Sequence, residues 1–197
     1  MATLKRKIGI LGGTFNPIHL GHLLIAQDAL EQVGLERVIF IPSATPPHKP
    51  LAGKVAAADR LKMVNLAIAG DPRFSVADLE IRRGGRSYSV ETVAELRGHY
   101  PDLEFYFIIG ADSLNELHLW READRLVQLC RFIAVTRPGY PPRPAKKLTG
   151  LRYELLNAHP CEIASREIRA RIAGRDSIRY LVPEAVRRYI ERKKLYL

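Results

Sequence analysis

Cysteine is nearly absent from this sequence: Cys130 and Cys161 are the only two among 197 residues. Two thiols cannot build a disulfide framework, and neither lies in a CxxC pair, so a reduced cytosol is the expected setting. Both sit among apolar neighbours, where cysteine behaves as a small buried side chain more often than as a nucleophile. Long apolar runs are missing too. The basic start, Lys5 to Lys7, is followed only by the short stretch Ile8 to Leu11. That is too brief for the core of a signal peptide, and no later stretch could span a bilayer. The chain reads as soluble and cytoplasmic. Internal repeats and low-complexity tracts are absent, and acidic residues are in deficit, 21 against 31 Lys+Arg, for a formal charge of +10.

That excess points to an anionic partner without saying whether it is nucleic acid, membrane or a small polyphosphate. Much of it lies late, in Arg166 to Arg179 and then Arg187, Arg188, Arg192, Lys193 and Lys194. A run of this kind is most often a solvated helix face. Apolar residues make up 47%, ample for a real core. The length fits one domain across 1–197, with a core over about 5–160 and a helical part over about 161–197.

Lys7 to Leu11 is a short apolar run broken by Gly12-Gly13, a buried strand ending in a glycine turn. Apolar residues at Leu20, Leu23, Leu24, Leu30 and Val33 mark one face of a helix closed by Gly34. Arg37 to Ile41 is a second buried strand, followed by a loop with four prolines between Pro42 and Pro50. A helix is expected from about Ala57 to Ala69, a strand over Phe74 to Ile81, and a helix over Val90 to Gly98 capped by Ser89. Glu104 to Ile109 is a strongly buried strand, Arg121 to Leu129 a helix, and Arg131 to Thr136 another strand. Short helices start at Ser165 and at Pro183. Strands alternating with helices imply an open parallel α/β sheet of Rossmann type with helices on both faces and a small C-terminal helical extension. Ligands bind such sheets beyond the strands' carboxyl ends, which selects the loops after Leu11, Ile41, Ile109 and Thr136.

The chemically richest of these reads Gly12-Gly13-Thr14-Phe15-Asn16-Pro17-Ile18-His19-Leu20-Gly21-His22. Glycines after a buried strand let backbone N–H groups approach a phosphate, and the following helix aims its positive end at the same anion. His19 and His22, three apart, share one helical face there and can donate to a phosphate whose charge grows during attack. Gly21 between them would admit a nucleotide base. A zinc site would need a third ligand, and none has suitable spacing. The glycines do not form GxGxxG and no acidic residue closes the second strand, which disfavours a dehydrogenase.

GGTFNPIHLGH resembles the GGTF-(D/N)-P-x-H-x-GH signature of the bacterial nicotinate-nucleotide adenylyltransferases, within the HxGH nucleotidyltransferase superfamily. The likeness spans nearly the whole chain. Pro42 to Lys49 (PSATPPHK) is similar to the family's substrate loop and Ser87 to Thr92 (SYSVET) to its SYT segment. Ile108 to Leu114 with Trp120 resembles the nucleotide-binding stretch, Arg137 to Tyr140 the RPGY turn, and Ile178 to Pro183 the late IRYLVP. Two departures stand out. The late phosphate motif has Ala164 and Arg166 at hydroxyl positions, leaving Ser165, and Arg121 follows Trp120 where many relatives have Tyr.

The resemblance implies adenylyl transfer from ATP to nicotinic acid mononucleotide, with Mg²⁺ held mainly by the triphosphate and no protein metal site. It implies catalytic roles for His19, His22 and Arg169. ATP binding falls to Gly12, Gly13, Thr14, Phe15, Gly21, Gly110, Asp112 and Ser165. Ser165 could also cap its helix, Arg169 neutralise charge, and Arg166 either replace the hydroxyl or face solvent. Mononucleotide binding is assigned to Ser43, His48, Lys49, Ser89, Thr92, Trp120 and Arg137, with Trp120 either stacking on the pyridine or packing in the core. The rivals are a sibling adenylyl- or cytidylyltransferase acting on phosphopantetheine or nicotinamide mononucleotide, and a nucleic-acid binder. A tRNA-synthetase fragment would need a KMSKS-like loop, which is missing. The expected partners are the two small substrates, without nucleic acid or membrane, and a homo-oligomer stays open.

Overall fold

The computed structural model describes residues 5–46, 55–136, 143 and 148–197. Among these, strands β1 (Arg6–Gly13), β2 (Arg37–Pro42), β3 (Phe74–Val76), β4 (Leu103–Gly110), β5 (Arg131–Val135) and β6 (Tyr153–Leu156) form one sheet in the order β3-β2-β1-β4-β5-β6. β1 runs parallel to β4, β4 to β5 and β5 to β6, with Ile8 opposite Phe105, Phe107 opposite Phe132 and Val135 opposite Leu156. Strands covered on both faces read as continuous apolar runs, which is why Phe105 to Ile109 is buried throughout. The helices are α1 (Leu20–Val33), α2 (Ala57–Ile68), α3 (Leu79–Arg83), α4 (Ser89–His99), α5 (Ala111–Asn115), α6 (Ala123–Leu129), α7 (Ser165–Ala173) and α8 (Glu184–Lys193). This is the doubly wound arrangement expected from the alternation of elements. Its strand order reverses at β1 and β4, whose carboxyl ends carry Gly12 and Gly110.

Local departures have local causes. The expected strand over Phe74 to Ile81 stops at Val76, because Asp78 opens α3 and its carbonyl accepts from the Arg82 amide at 2.9 Å. Tyr88, not Ser89, holds the cap position of α4, and its carbonyl takes the Glu91 amide at 3.1 Å. Ser165 is the first residue of α7 rather than its cap, which is Ala164. Glu122 adopts a left-handed φ of 49° and delays α6 to Ala123. Strand β6 and helix α5 were not foreseen.

The chain divides into two compact units, each of three segments. The first contains Met1–Gly12, Ile25–Ile39 and Tyr88–Pro160. Its interior is built on Phe105, Phe107, Phe132, Ile133, Val93 and Leu126, all buried. Cys130 belongs to this interior: its thiol donates to the Leu126 carbonyl, and burial pushes its pKa up to about 12, so it is an inert core residue. The second unit contains Gly13–Leu24, Phe40–Ser87 and Cys161–Leu197. Phe40 lies at its centre, 5.6 Å from the Phe74 ring and 5.9 Å from the Phe15 ring. Helix α8 buries Val186, Tyr189 and Ile190, while Arg187 and Arg188 pair with Glu184 on its outer side, so this stretch of the basic run is the polar face of an amphipathic helix. No helix among the described residues is long and apolar enough to cross a membrane.

Candidate active site

The signature loop leaves β1 at Gly13 and reaches α1 at Leu20, entirely within the second unit. Phe15 is buried with a left-handed φ of 47°, a conformation a bulky residue keeps only when its surroundings enforce it. Its ring meets His22 edge-on at 5.1 Å and covers Gly13, where any Cβ would come within 3.2 Å of the ring. The glycine therefore admits the aromatic ring as well as freeing the backbone.

His19 is buried and His22 half-buried, their rings 3.7 Å apart and tilted by 32°. The His19 amide donates to His22 Nδ1 at 3.2 Å. An amide can only donate, so Nδ1 carries the lone pair and Nε2 carries the proton. His22 thus presents Nε2–H as a donor atom, the form needed to stabilise a developing phosphate charge. Gly21 keeps this arrangement open: a Cβ there would lie 3.1 Å from both His19 Nδ1 and Cys161 Sγ.

The loop's carbonyls are held by side chains of α2 and α7. Arg60 donates to the Thr14 carbonyl at 2.7 Å, Arg169 to the Asn16 carbonyl at 2.7 Å, and Ser165 Oγ to the Pro17 carbonyl at 2.8 Å. Tyr196 donates its hydroxyl to Asn16 Oδ1 at 2.7 Å, and burial raises its pKa well above the usual phenol value. Ser43 is tied to the same loop, its amide donating to the Gly13 carbonyl at 2.9 Å. Its buried Oγ finds no partner among the described residues. The unit thus brings together Gly13, Thr14, Phe15, His19, Gly21, His22, Ser43, Ser165 and Arg169 from the sequence-predicted set. Arg166, on the first turn of α7, is exposed.

The first unit holds Gly12, Ser89, Thr92, Gly110, Asp112 and Trp120. A Cβ on Gly12 would meet the Phe107 ring at 3.3 Å, and the same ring receives Trp120 edge-to-face at 6.1 Å. Asp112 is exposed, yet its carboxylate folds back over Gly110, whose missing Cβ would fall 2.3 Å from Asp112 Oδ1. Ser89 is half-buried at the start of α4. Thr92 is buried, with its hydroxyl donating to the Tyr88 carbonyl at 3.4 Å. Arg121 lies over the Tyr88 ring with its Cζ 4.4 Å from the centroid. His48, Lys49 and Arg137 lie outside the described residues. No group of three His, Cys, Asp or Glu side chains among the described residues could cage a metal ion.

Arg60 and Tyr196 escaped the sequence reading, and Ser87 entered it only as part of the SYSVET segment, without its partner. Arg60 left a signal, since a charged residue stands in register with Val64 and Ile68 on the buried stripe of α2. Ser87 accepts from the Ala44 amide at 3.0 Å, a tertiary pairing across the substrate loop that spacing does not reveal.

A glycine-ended parallel strand leading to a pair of stacked imidazoles at a helix start is the arrangement of a nucleotidyltransferase class of site. Residues 10–171 match the cytidylyltransferase-like family model. A nicotinate-nucleotide adenylyltransferase of Citrifermentans bemidjiense is 46% identical, the match covering 97% of this chain and 98% of the relative. One from Synechococcus sp. (strain JA-3-3Ab) is also 46% identical, over 98% of this chain and 96% of its own. The Plasmodium falciparum nicotinic acid mononucleotide adenylyltransferase complexed with NaAD superposes with a TM-score of 0.79 at 20% identity, over 97% of each chain, which supports the fold. The chain belongs to the nicotinate-nucleotide adenylyltransferase family.

Proposed function

We propose that this chain transfers the AMP moiety of ATP to the 5′-phosphate of nicotinic acid mononucleotide, giving nicotinic acid adenine dinucleotide and pyrophosphate. A phosphate oxygen of the mononucleotide attacks the α-phosphorus of ATP in line. The new P–O bond forms as the bond to the β-phosphate breaks and pyrophosphate leaves with the electron pair. No covalent enzyme intermediate and no redox partner is required. Catalysis is then positioning plus stabilisation of charge on the α-phosphate oxygens. The observation that carries this reading is the fixed Nε2–H of His22 beside His19 at the mouth of the signature loop. His22 donates to the α-phosphate, and His19 supports the same anion.

Arg169 and Ser165 reach toward the β- and γ-phosphates from the start of α7. Asp112 accepts from a ribose hydroxyl. Trp120, Ser89 and Thr92 take the pyridine end, Ser43 is assigned to the mononucleotide, and His48, Lys49 and Arg137 to its phosphate. A divalent ion would be carried in by the triphosphate and coordinated mainly by its oxygens and by water. Such an ion, Mg²⁺ in this proposal, neutralises triphosphate charge. The two thiols, both free, fit a cytoplasmic setting.

The test is pyrophosphate release from ATP with the acid mononucleotide, its amide counterpart, or phosphopantetheine as acceptor. The acid should support the fastest turnover. Turnover confined to phosphopantetheine, or a salt-sensitive RNA gel shift without turnover, would overturn the proposal.

A further inference from the structure

Arg60 is the largest fully buried side chain among the described residues, at 0% exposure on α2. One arm of its guanidinium, Nη1, donates to the Thr14 carbonyl at 2.7 Å and the other, Nη2, to the Ala44 carbonyl at 3.0 Å. Nε has no partner among the described residues, and no carboxylate pairs with the group. Burial pushes its pKa below the ordinary arginine value, with the Tyr196 phenol as the titratable neighbour. A buried, always-charged group without a counter-ion is costly, and folds keep such groups where they do something a hydrophobic residue could not.

Its two acceptors are the informative feature. Thr14 follows β1 in the signature loop, and Ala44 follows β2 in the loop after Pro42. These loops already meet through the Ser43 amide on the Gly13 carbonyl, 2.9 Å, and Ser87 Oγ takes the Ala44 amide at 3.0 Å. A trans peptide is planar, so its N–H points opposite to its C=O. Drawing the Thr14 and Ala44 carbonyls toward Arg60 turns the following amides, those of Phe15 and Thr45, away from it. The Thr45 amide turns toward the segment of Arg86, with which Thr45 forms a parallel bridge and whose successor Ser87 donates its amide to the Thr45 carbonyl at 3.0 Å. The Phe15 amide is left to face the side on which an anion can be received, its peptide dipole aligned by the buried cation.

We propose that Arg60 is a positioning residue that clamps the two loops and aims the Phe15 amide at substrate phosphate oxygens. It touches neither substrate. The proposal rests on the adenylyl-transfer reading for the identity of those phosphates, but not for its test, which uses binding of ATP alone.

The experiment compares R60M, R60K and R60Q with the parent chain by calorimetric titration with a non-hydrolysable ATP analogue, KM for both substrates, and thermal unfolding. The clamp predicts that R60M weakens analogue binding and raises both KM values at least tenfold while the folded protein keeps its melting temperature or gains. R60K, which retains a charged donor, recovers part of that loss. A purely structural arginine gives the opposite pattern: lower melting temperature and less active protein, with unchanged KM and analogue affinity. That pattern, or R60K no better than R60M, overturns the proposal. Should R60M not fold, R60K is compared with R60Q, and equal analogue affinities in those two would also overturn it. Failure of nicotinic acid mononucleotide as acceptor with normal analogue binding would count against the proposed reaction only.

Discussion

Gly110→Ala separates stability from function sharply in this chain. The added methyl would sit 2.3 Å from Asp112 Oδ1 and 3.4 Å from its Cγ, so the carboxylate must leave its place over the strand end. Little else resists. Gly110 has an ordinary extended backbone, φ −70° and ψ 157°, that alanine adopts readily. Asp112 is exposed, so swinging it into solvent costs within about 0.5 kcal/mol, and the lost glycine freedom in the unfolded chain returns about 0.4–1 kcal/mol. Thermal stability should therefore stay level or rise slightly. The proposed hydrogen bond from a ribose hydroxyl to this carboxylate is worth about 1.5–3 kcal/mol, so KM for ATP should rise roughly 10- to 150-fold. Steady-state pyrophosphate release at varied ATP, alongside calorimetric unfolding, checks both halves, with Asp112→Ala run in parallel. A folded G110A enzyme with parental KM for ATP would refute the role given to Asp112.

Other expectations follow from the same geometry. Gly21→Ala should lower kcat by at least tenfold, since its methyl lies 3.1 Å from both His19 Nδ1 and Cys161 Sγ; G21A combined with Cys161→Ala should recover part of the loss, and no recovery would show that His19, not the thiol, is the obstacle. Arg166→Ala should leave both KM values within twofold, because the side chain is exposed; a large rise in KM for ATP would restore it to the phosphate site. Stability should fall in alkali. Burial raises the Cys130 thiol from 9.0 and the Tyr106 phenol from 10.0, each to about 12, and lifts Tyr196 as well. The folded state thus holds protons that the unfolded chain releases, so the stabilisation is complete below about pH 9 and is lost as pH climbs toward 12. Urea midpoints should drop over that window and drop less in Tyr196→Phe; a flat profile to pH 11 would contradict this.

The sequence disclosed the elements whose pattern is local. Buried parallel strands such as Phe105 to Ile109 announce themselves as unbroken apolar runs, and Gly12-Gly13 marks where the first must end. The His19–His22 pairing was readable from spacing, but the tautomer of His22 was not, because it depends on where the His19 amide points. Arg60 shows the limit most clearly: a charged residue on a buried stripe looks like an interruption until the two carbonyls it holds, Thr14 and Ala44, are brought to it by the fold. The short α3 and the edge strand β6 were missed for a related reason. A five-residue helix opened by Asp78 and a four-residue strand carry too few periodic positions to outweigh their neighbours.

The most direct test of the central claim is the rate of pyrophosphate release by His22→Ala at saturating ATP and nicotinic acid mononucleotide, with circular dichroism confirming the fold. Loss of the Nε2–H donor should cut kcat by about 10²–10³. A folded variant turning over at near the parental rate would contradict the account.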